Sequence, residues 1–203
     1  MKVTIRGRPD RVERWNDLRA EWSTCRRCRL AACRARVVFG EGDLDARLAI
    51  VGEAPGADED RLGRPFVGRS GKALRRWLRL WGVDPAEVLI VNLVACRPPN
   101  NRDPEADEIR ACRPRLESIL GLTEVSALLL LGKVPLARLT GARGSMKQWR
   151  GQILDAEFGS FTLPAVATYH PAHWLRQFEE ARYMRRVADD VRLATEVSRA
   201  GIT

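Results

Sequence analysis

The sequence predicts a three-layer α/β/α fold around a central four-stranded parallel sheet. Two observations carry that expectation. Four short apolar runs, at 48–52, 88–92, 127–131 and 164–168, lack the polar alternation of a half-exposed strand. They read as strands buried on both faces. Helical patterns lie between them, and strands alternating with helices assemble into a parallel sheet covered on both sides. A length of 203 residues suits a single domain spanning 1–203.

The elements follow in order. Asp10-Arg-Val-Glu13 has the form of a capping box, and Val12, Trp15, Leu18 and Trp22 recur at helical spacing. This predicts a helix over 10–24. A cysteine- and arginine-rich loop, 25–36, comes next. The first strand, 48–52, ends in Gly52 and opens into a loop, 53–69, carrying glycines, prolines and acids. Ser70 is expected to cap a helix whose Leu74, Trp77, Leu78 and Trp81 share one face. The second strand, 88–92, precedes a Pro- and Asn-rich loop at 95–102. Asp103-Pro104 is expected to start a helix that Pro114 breaks or kinks just after Cys112. The third strand, 127–131, leads to a short helix and a Gly- and Arg-rich loop at 141–151. The fourth strand, 164–168, ends in Tyr-His-Pro, and Phe178, Ala181, Met184, Val187, Val191 and Ala194 mark a closing helix. Ligands of such sheets sit beyond the carboxyl ends of the strands. Glu53, Asn92 and His170 all stand there.

Charge and cysteines narrow the function classes. With 35 basic and 26 acidic residues, the net charge is +9. That excess points to a polyanion such as nucleic acid. Only Lys2, Lys72, Lys133 and Lys147 are lysines, so an arginine-rich coding bias is the competing explanation. The longest apolar run, Val125 to Leu131, is interrupted by Ser126 and is far short of the roughly 20 residues a membrane span needs. No secretory signal is visible at the N-terminus. Five cysteines without such a signal argue against a disulfide framework. Cys25-x2-Cys28, Cys96 and Cys112 form a four-thiol set that suits zinc or an iron–sulfur cluster equally well, with Cys33 a fifth candidate. Four acids in 53–60 offer magnesium ligands or a solvated acidic loop. Neither the Walker nor the Rossmann glycine pattern is present.

Taken together, Gly52-Glu-Ala-Pro-Gly56, Gly63-Arg-Pro-Phe-Val-Gly68, Asn92 ahead of Cys96-Arg-Pro-Pro-Asn-Asn-Arg102, and His170-Pro-Ala172 resemble family 4 uracil-DNA glycosylases. The resemblance runs in order from about Cys25 to Arg176. It implies a [4Fe–4S] cluster held by Cys25, Cys28, Cys96 and Cys112, which ties the segment 10–36 into the domain. It also implies excision of uracil from DNA, single- or double-stranded, through a flipped nucleotide.

The same resemblance distributes roles. Phe66 would stack on the uracil, and Asn92 would read its edge, donating to O4 and accepting from N3–H. His170 would donate to O2 as negative charge develops. Ala54 stands in the pocket where family 1 relatives carry an aspartate, so it cannot activate water. That task falls to Glu53 first and Glu59 second, with Asp60 also available. The last motif departs from His-Pro-Ser through Ala172, losing one possible phosphate contact. Trp174 is the candidate wedge into the base stack, and Arg69, Arg150 and Arg176 are candidate phosphate contacts.

The alternative is an Fe–S protein that binds uracil-containing or single-stranded DNA without turnover. A related variant that becomes trapped on its abasic product carries a histidine near residues 96–103. This chain has only His170 and His173. The expected setting is cytoplasmic, prokaryotic in type, nucleoid-associated when bound to DNA, and monomeric.

Overall fold

The computed structural model describes residues 5–176 and 181–201. In chain order these are β1 (Ile5–Arg6), α1 (Pro9–Ser23), β2 (Glu41–Asp43), β3 (Leu48–Gly52), α2 (Ala57–Leu62), α3 (Arg69–Leu80), β4 (Leu89–Asn92), α4 (Ala106–Gly121), β5 (Ala127–Leu131), α5 (Lys133–Thr140), α6 (Met146–Trp149), β6 (Ile153–Glu157), β7 (Thr162–Thr168), α7 (Pro171–Arg176) and α8 (Ala181–Ala200). One sheet of seven strands runs in the order β1-β2-β4-β3-β5-β7-β6. The expected parallel four, β4-β3-β5-β7, form its centre. β2 and β6 extend it by antiparallel pairing with β4 and β7, and β1 pairs parallel with β2.

Residue parity along the central strands builds the three layers, because successive side chains point to opposite faces. Ala49, Val51, Leu89, Val91, Leu128 and Leu130 pack beneath α1, α4, α5 and α6, against Trp15, Leu116, Ile119 and Leu136. Leu48, Ile50, Ile90, Leu129, Leu131 and Val166 pack on the other face against α3, α7 and α8, meeting Leu74, Trp77, Trp174, Val187 and Val191. A smaller cluster of Leu30, Val94, Ala95, Cys96, Ile109 and Cys112 closes the cysteine corner.

Local chemistry departs from expectation at several ends. α1 begins at Pro9, with proline in its first turn and no side-chain cap, so Asp10 and Glu13 form no capping box. α3 is entered from Gly68, and Ser70 lies within its first turn. α4 begins at Ala106, two residues past Pro104, where the Glu108 carboxylate accepts the Glu105 N–H at 2.8 Å. It then runs through Pro114 to Gly121. Pro114 and Arg110 are exposed. The carbonyl that loses its partner therefore faces water, while Ile109, Leu116 and Ile119 hold the inner face in the core. The acidic segment after β3 contains a helix, α2, rather than a loop throughout. Phe178, expected on the closing helix, lies outside the described residues.

The chain passes from β3 to β4 on one side, then crosses to β5 on the other. The strand order therefore reverses at β3, where such folds open a ligand crevice. Gly52 and Asn92 are register partners, so β3 and β4 end level.

Trp174 is fully buried, its ring 5.5 Å from Trp77 and 5.8 Å from Trp81 between centroids. Trp174→Ala is expected to cost about 3–5 kcal/mol of stability in urea denaturation. A loss below about 1 kcal/mol, ordinary for an exposed position, would contradict its place in the core.

Candidate functional site

A cavity of about 500 Å³ opens at the carboxyl ends of the parallel strands. Its wall brings together Glu53 and Ala54 after β3, Phe66 and Ser70 around the start of α3, Asn92 at the end of β4, and His170 after β7. The convergence expected from element order is thus realised in one place. The wall also includes Pro98, Asn101 and Arg102 of the loop after β4. These belong to the Cys96-to-Arg102 motif that carries part of the resemblance, but sequence alone assigned them no role in the site.

Phe66 is held close to β3 by glycines. A Cβ at Gly52 would lie 2.5 Å from Phe66 Cζ and 2.3 Å from Asn92 Oδ1, and a Cβ at Gly71 would lie 2.0 Å from the Phe66 carbonyl carbon. Phe66 itself has φ of 51°, in the left-handed region that a bulky residue rarely adopts. Its ring is only 7% exposed and stands 6.4 Å from the His170 ring.

Asn92 is 2% exposed and its Oδ1 has no hydrogen-bond partner within the described chain. A buried acceptor left unpaired costs about 1–3 kcal/mol, and this one borders the cavity. The Ala172 N–H donates to His170 Nδ1 at 3.2 Å. A neutral ring accepting at Nδ1 carries its proton on Nε2, which is then a donor. At the base of that loop, Thr168 donates to Asp190 Oδ2 at 2.7 Å.

The three carboxylates after β3 have separate tasks. Glu53 is half-buried on the wall, and burial, followed by the facing Asp103 carboxyl, raises its pKa from 4.5 to about 7. Glu59 also borders the cavity, but its Oε1 accepts the N–H groups of Val67 and Gly68, both at 2.8 Å. Through that oxygen it holds the Phe66 loop, a task the sequence did not show. Asp60 is buried and accepts the N–H groups of Ala35 and Arg36 at 3.0 and 3.2 Å, fastening the cysteine loop to α2. Asp58 pairs with Arg61 at 3.1 Å.

The four expected cysteines line one small apolar cavity: Cys25 and Cys28 from the loop after α1, Cys96 after β4, and Cys112 on α4. Arg34 Nη1 donates to Cys96 Sγ at 3.5 Å and the Ala95 N–H to Cys112 Sγ at 3.4 Å. Burial pushes the Cys96 thiol up to about 12, against the pull of the Arg34 guanidinium. Among the described residues, no three His, Cys, Asp or Glu side chains converge tightly enough to hold a single metal ion. Cys33 is exposed, with its Sγ toward the Leu30 and Arg97 carbonyls.

The expected DNA contacts divide. Arg69 is exposed on the first turn of α3, beside Ser70 of the cavity wall. Arg150 is not available as proposed from sequence, because its guanidinium grips buried Asp190 at 2.8 and 3.1 Å and bonds the Arg186 carbonyl. Trp174 cannot wedge between bases from its buried place in the tryptophan cluster. The side chain of Arg176 lies outside the described residues.

The geometry has counterparts in known proteins. The family model of the uracil DNA glycosylase superfamily matches residues 39–192. A type-4 uracil-DNA glycosylase of Thermotoga maritima is 39% identical over 164 residues, covering 80% of this chain and 83% of its own. One from Pyrobaculum aerophilum is 39% identical over 157 residues, 75% of this chain and 80% of its own. One from Sulfurisphaera tokodaii is 38% identical over 160 residues, 76% and 73% respectively.

Folded Glu53 keeps its proton to higher pH than the unfolded chain does. Its contribution to stability is therefore intact below pH 4.5 and is lost as pH rises to about 7. Glu53→Gln should remove that loss. The melting temperature of the variant relative to the parent is expected to climb between about pH 5 and about pH 7. A constant difference across that window would show that Glu53 ionises normally.

Proposed function

The chain belongs to the uracil DNA glycosylase superfamily, and on that premise we propose that it is a monofunctional uracil-DNA glycosylase. It hydrolyses the N-glycosidic bond of deoxyuridine in DNA, releases uracil and leaves an abasic site. The observation that carries the reading at this site is the buried, unpartnered Oδ1 of Asn92 at the cavity. Uracil offers N3–H to that acceptor and O4 to the same amide's N–H2. Cytosine offers the opposite pair, so it would leave the acceptor unpaired and is rejected.

The duplex hides the reacting bond, so the nucleotide is flipped into the cavity, as DNA glycosylases do. Phe66 stacks on the uracil face, and Ala54 leaves room beside it. As the bond to C1′ breaks, its electron pair passes to uracil N1 and spreads to O2. The Nε2–H of neutral His170 donates to that oxygen, a stabilisation of the oxyanion kind. Ionised Glu53 orients the attacking water, stabilises positive charge at C1′, and takes the water's proton. Glu59 acts through the loop that carries Phe66. Arg69 contacts phosphate at the rim.

Cys25, Cys28, Cys96 and Cys112 hold a [4Fe–4S] cluster in this reading. The four thiols ring one small apolar cavity, and four thiolates are the donor set that such a cluster takes. Four protein ligands leave no open coordination position, so the cluster's contribution is a cross-link from the segment after α1 to the loop after β4 and to α4. We place the protein in the cytoplasm, acting as a monomer on nucleoid DNA.

The test is an oligonucleotide carrying one uracil, opposite G, opposite A, or in a single strand. Release of uracil and an alkali-labile site are expected. Binding without release, by protein of verified iron content, would leave only the DNA-binding alternative. His170→Ala is expected to slow single-turnover cleavage by about 10²–10³-fold while binding persists; an unchanged rate would remove His170 from the chemistry. The parent rate should rise with pH toward a plateau above about 7 as Glu53 ionises, and a rate flat through that region would exclude Glu53. Purified protein should be brown, with broad absorption near roughly 400 nm and about four irons per chain. Zinc in place of iron would overturn the cluster assignment.

A further inference from the structure

We infer that Arg75 and Glu41 are positioning residues that hold Phe66 in its stacking pose from behind the cavity. This rests on reading the cavity as a uracil pocket. Arg75 is absent from the cavity wall. It lies one helical turn after Gly71 on α3, so the two share a face. The Phe66 carbonyl packs on the bare backbone of Gly71. From that face Arg75 Nε donates to the Phe66 carbonyl and Nη2 to the Pro65 carbonyl, each at 3.2 Å.

The guanidinium is itself fixed. Its Nη2 also meets the carboxylate of Glu41 on β2, which is 3% exposed. Arg64, two residues before Phe66, grips the same carboxylate at 2.7 and 3.3 Å. Glu41 thus ties α3, the Phe66 loop and β2 together. On the other side of the loop, Glu59 takes the N–H groups of Val67 and Gly68 at 2.8 Å. Carbonyls are held by one partner and amides by the other, and the left-handed Phe66 sits between them. A bulky residue stays at positive φ only where its surroundings over-determine it. A planar fork can serve three acceptors from one rigid group, whereas a lysine ammonium cannot match that geometry.

The test compares Arg75→Met, which keeps much of the apolar stem, with the parent on single-stranded uracil DNA. Inhibition by free uracil is expected to weaken by about tenfold, and the single-turnover rate to fall by a similar factor, as for losing one charge-assisted hydrogen bond. KM for DNA should change by less than about twofold, since the Arg75 side chain does not line the cavity. Arg75→Lys should recover part of the loss. In a Phe66→Ala background, adding Arg75→Met should change uracil inhibition no further, because the ring that it positions is gone.

Unchanged uracil inhibition in folded Arg75→Met would overturn the inference, as would additive effects in the double variant. If Arg75→Met does not fold, Glu41→Gln carries the same comparison with the same two outcomes. A parent protein that releases no uracil would overturn the proposed function instead. An active parent with an indifferent Arg75 would overturn only this positioning role.

Discussion

A methyl group on Gly52 would lie 2.3 Å from Asn92 Oδ1 and 2.5 Å from Phe66 Cζ. Asn92, the Phe66 ring and the end of β3 can coexist only over bare backbone. Asn92 reaches that point because β4 runs parallel to β3 and in register, with Gly52 opposite Asn92. Phe66 reaches it because a second glycine, Gly71, lets its carbonyl lie against α3. The site is thus set by close approach before any charge enters. The carboxylates then secure it: Glu59 on the Phe66 loop, Asp60 on the cysteine loop, and Asp190 against the strand end that carries His170.

This arrangement also explains what the sequence could and could not convey. The runs at 48–52, 88–92 and 127–131 were legible because both faces of each strand are buried, which removes polar alternation. Glu53, Asn92 and His170 were legible as a set because parallel strands deliver their following residues to one end. β1, β2 and β6 were not legible. β1 has two residues and β2 three, one of them Gly42, and β6 is mostly exposed. Their pairing comes from neighbours rather than from local preference.

Side-chain destinations were the harder part. An arginine or tryptophan looks alike in sequence whether it faces DNA or the core. Arg150 is consumed by Asp190, which α8 presents to it, and Trp174 by two other tryptophans, because α7 turns that position inward. Glu59 shows a further limit. Its place beside the cavity was readable, but its commitment to two backbone amides depends on where the Phe66 loop folds back. Pro114 failed as a helix breaker for the same reason: its cost is met on the solvent side of a helix whose other side is anchored.

Arg115, next along the chain from that proline, is fully buried and bonds only backbone carbonyls, those of Phe39, Asn92 and Leu93. It has no carboxylate counter-ion among the described residues. An arginine does not shed its proton, so a permanent positive charge lies beneath the end of β4. Low-dielectric surroundings screen it weakly. That charge clamps the carbonyls of Asn92 and Leu93, so the strand end beside the cavity is held from below by a cation that the cavity wall itself does not include.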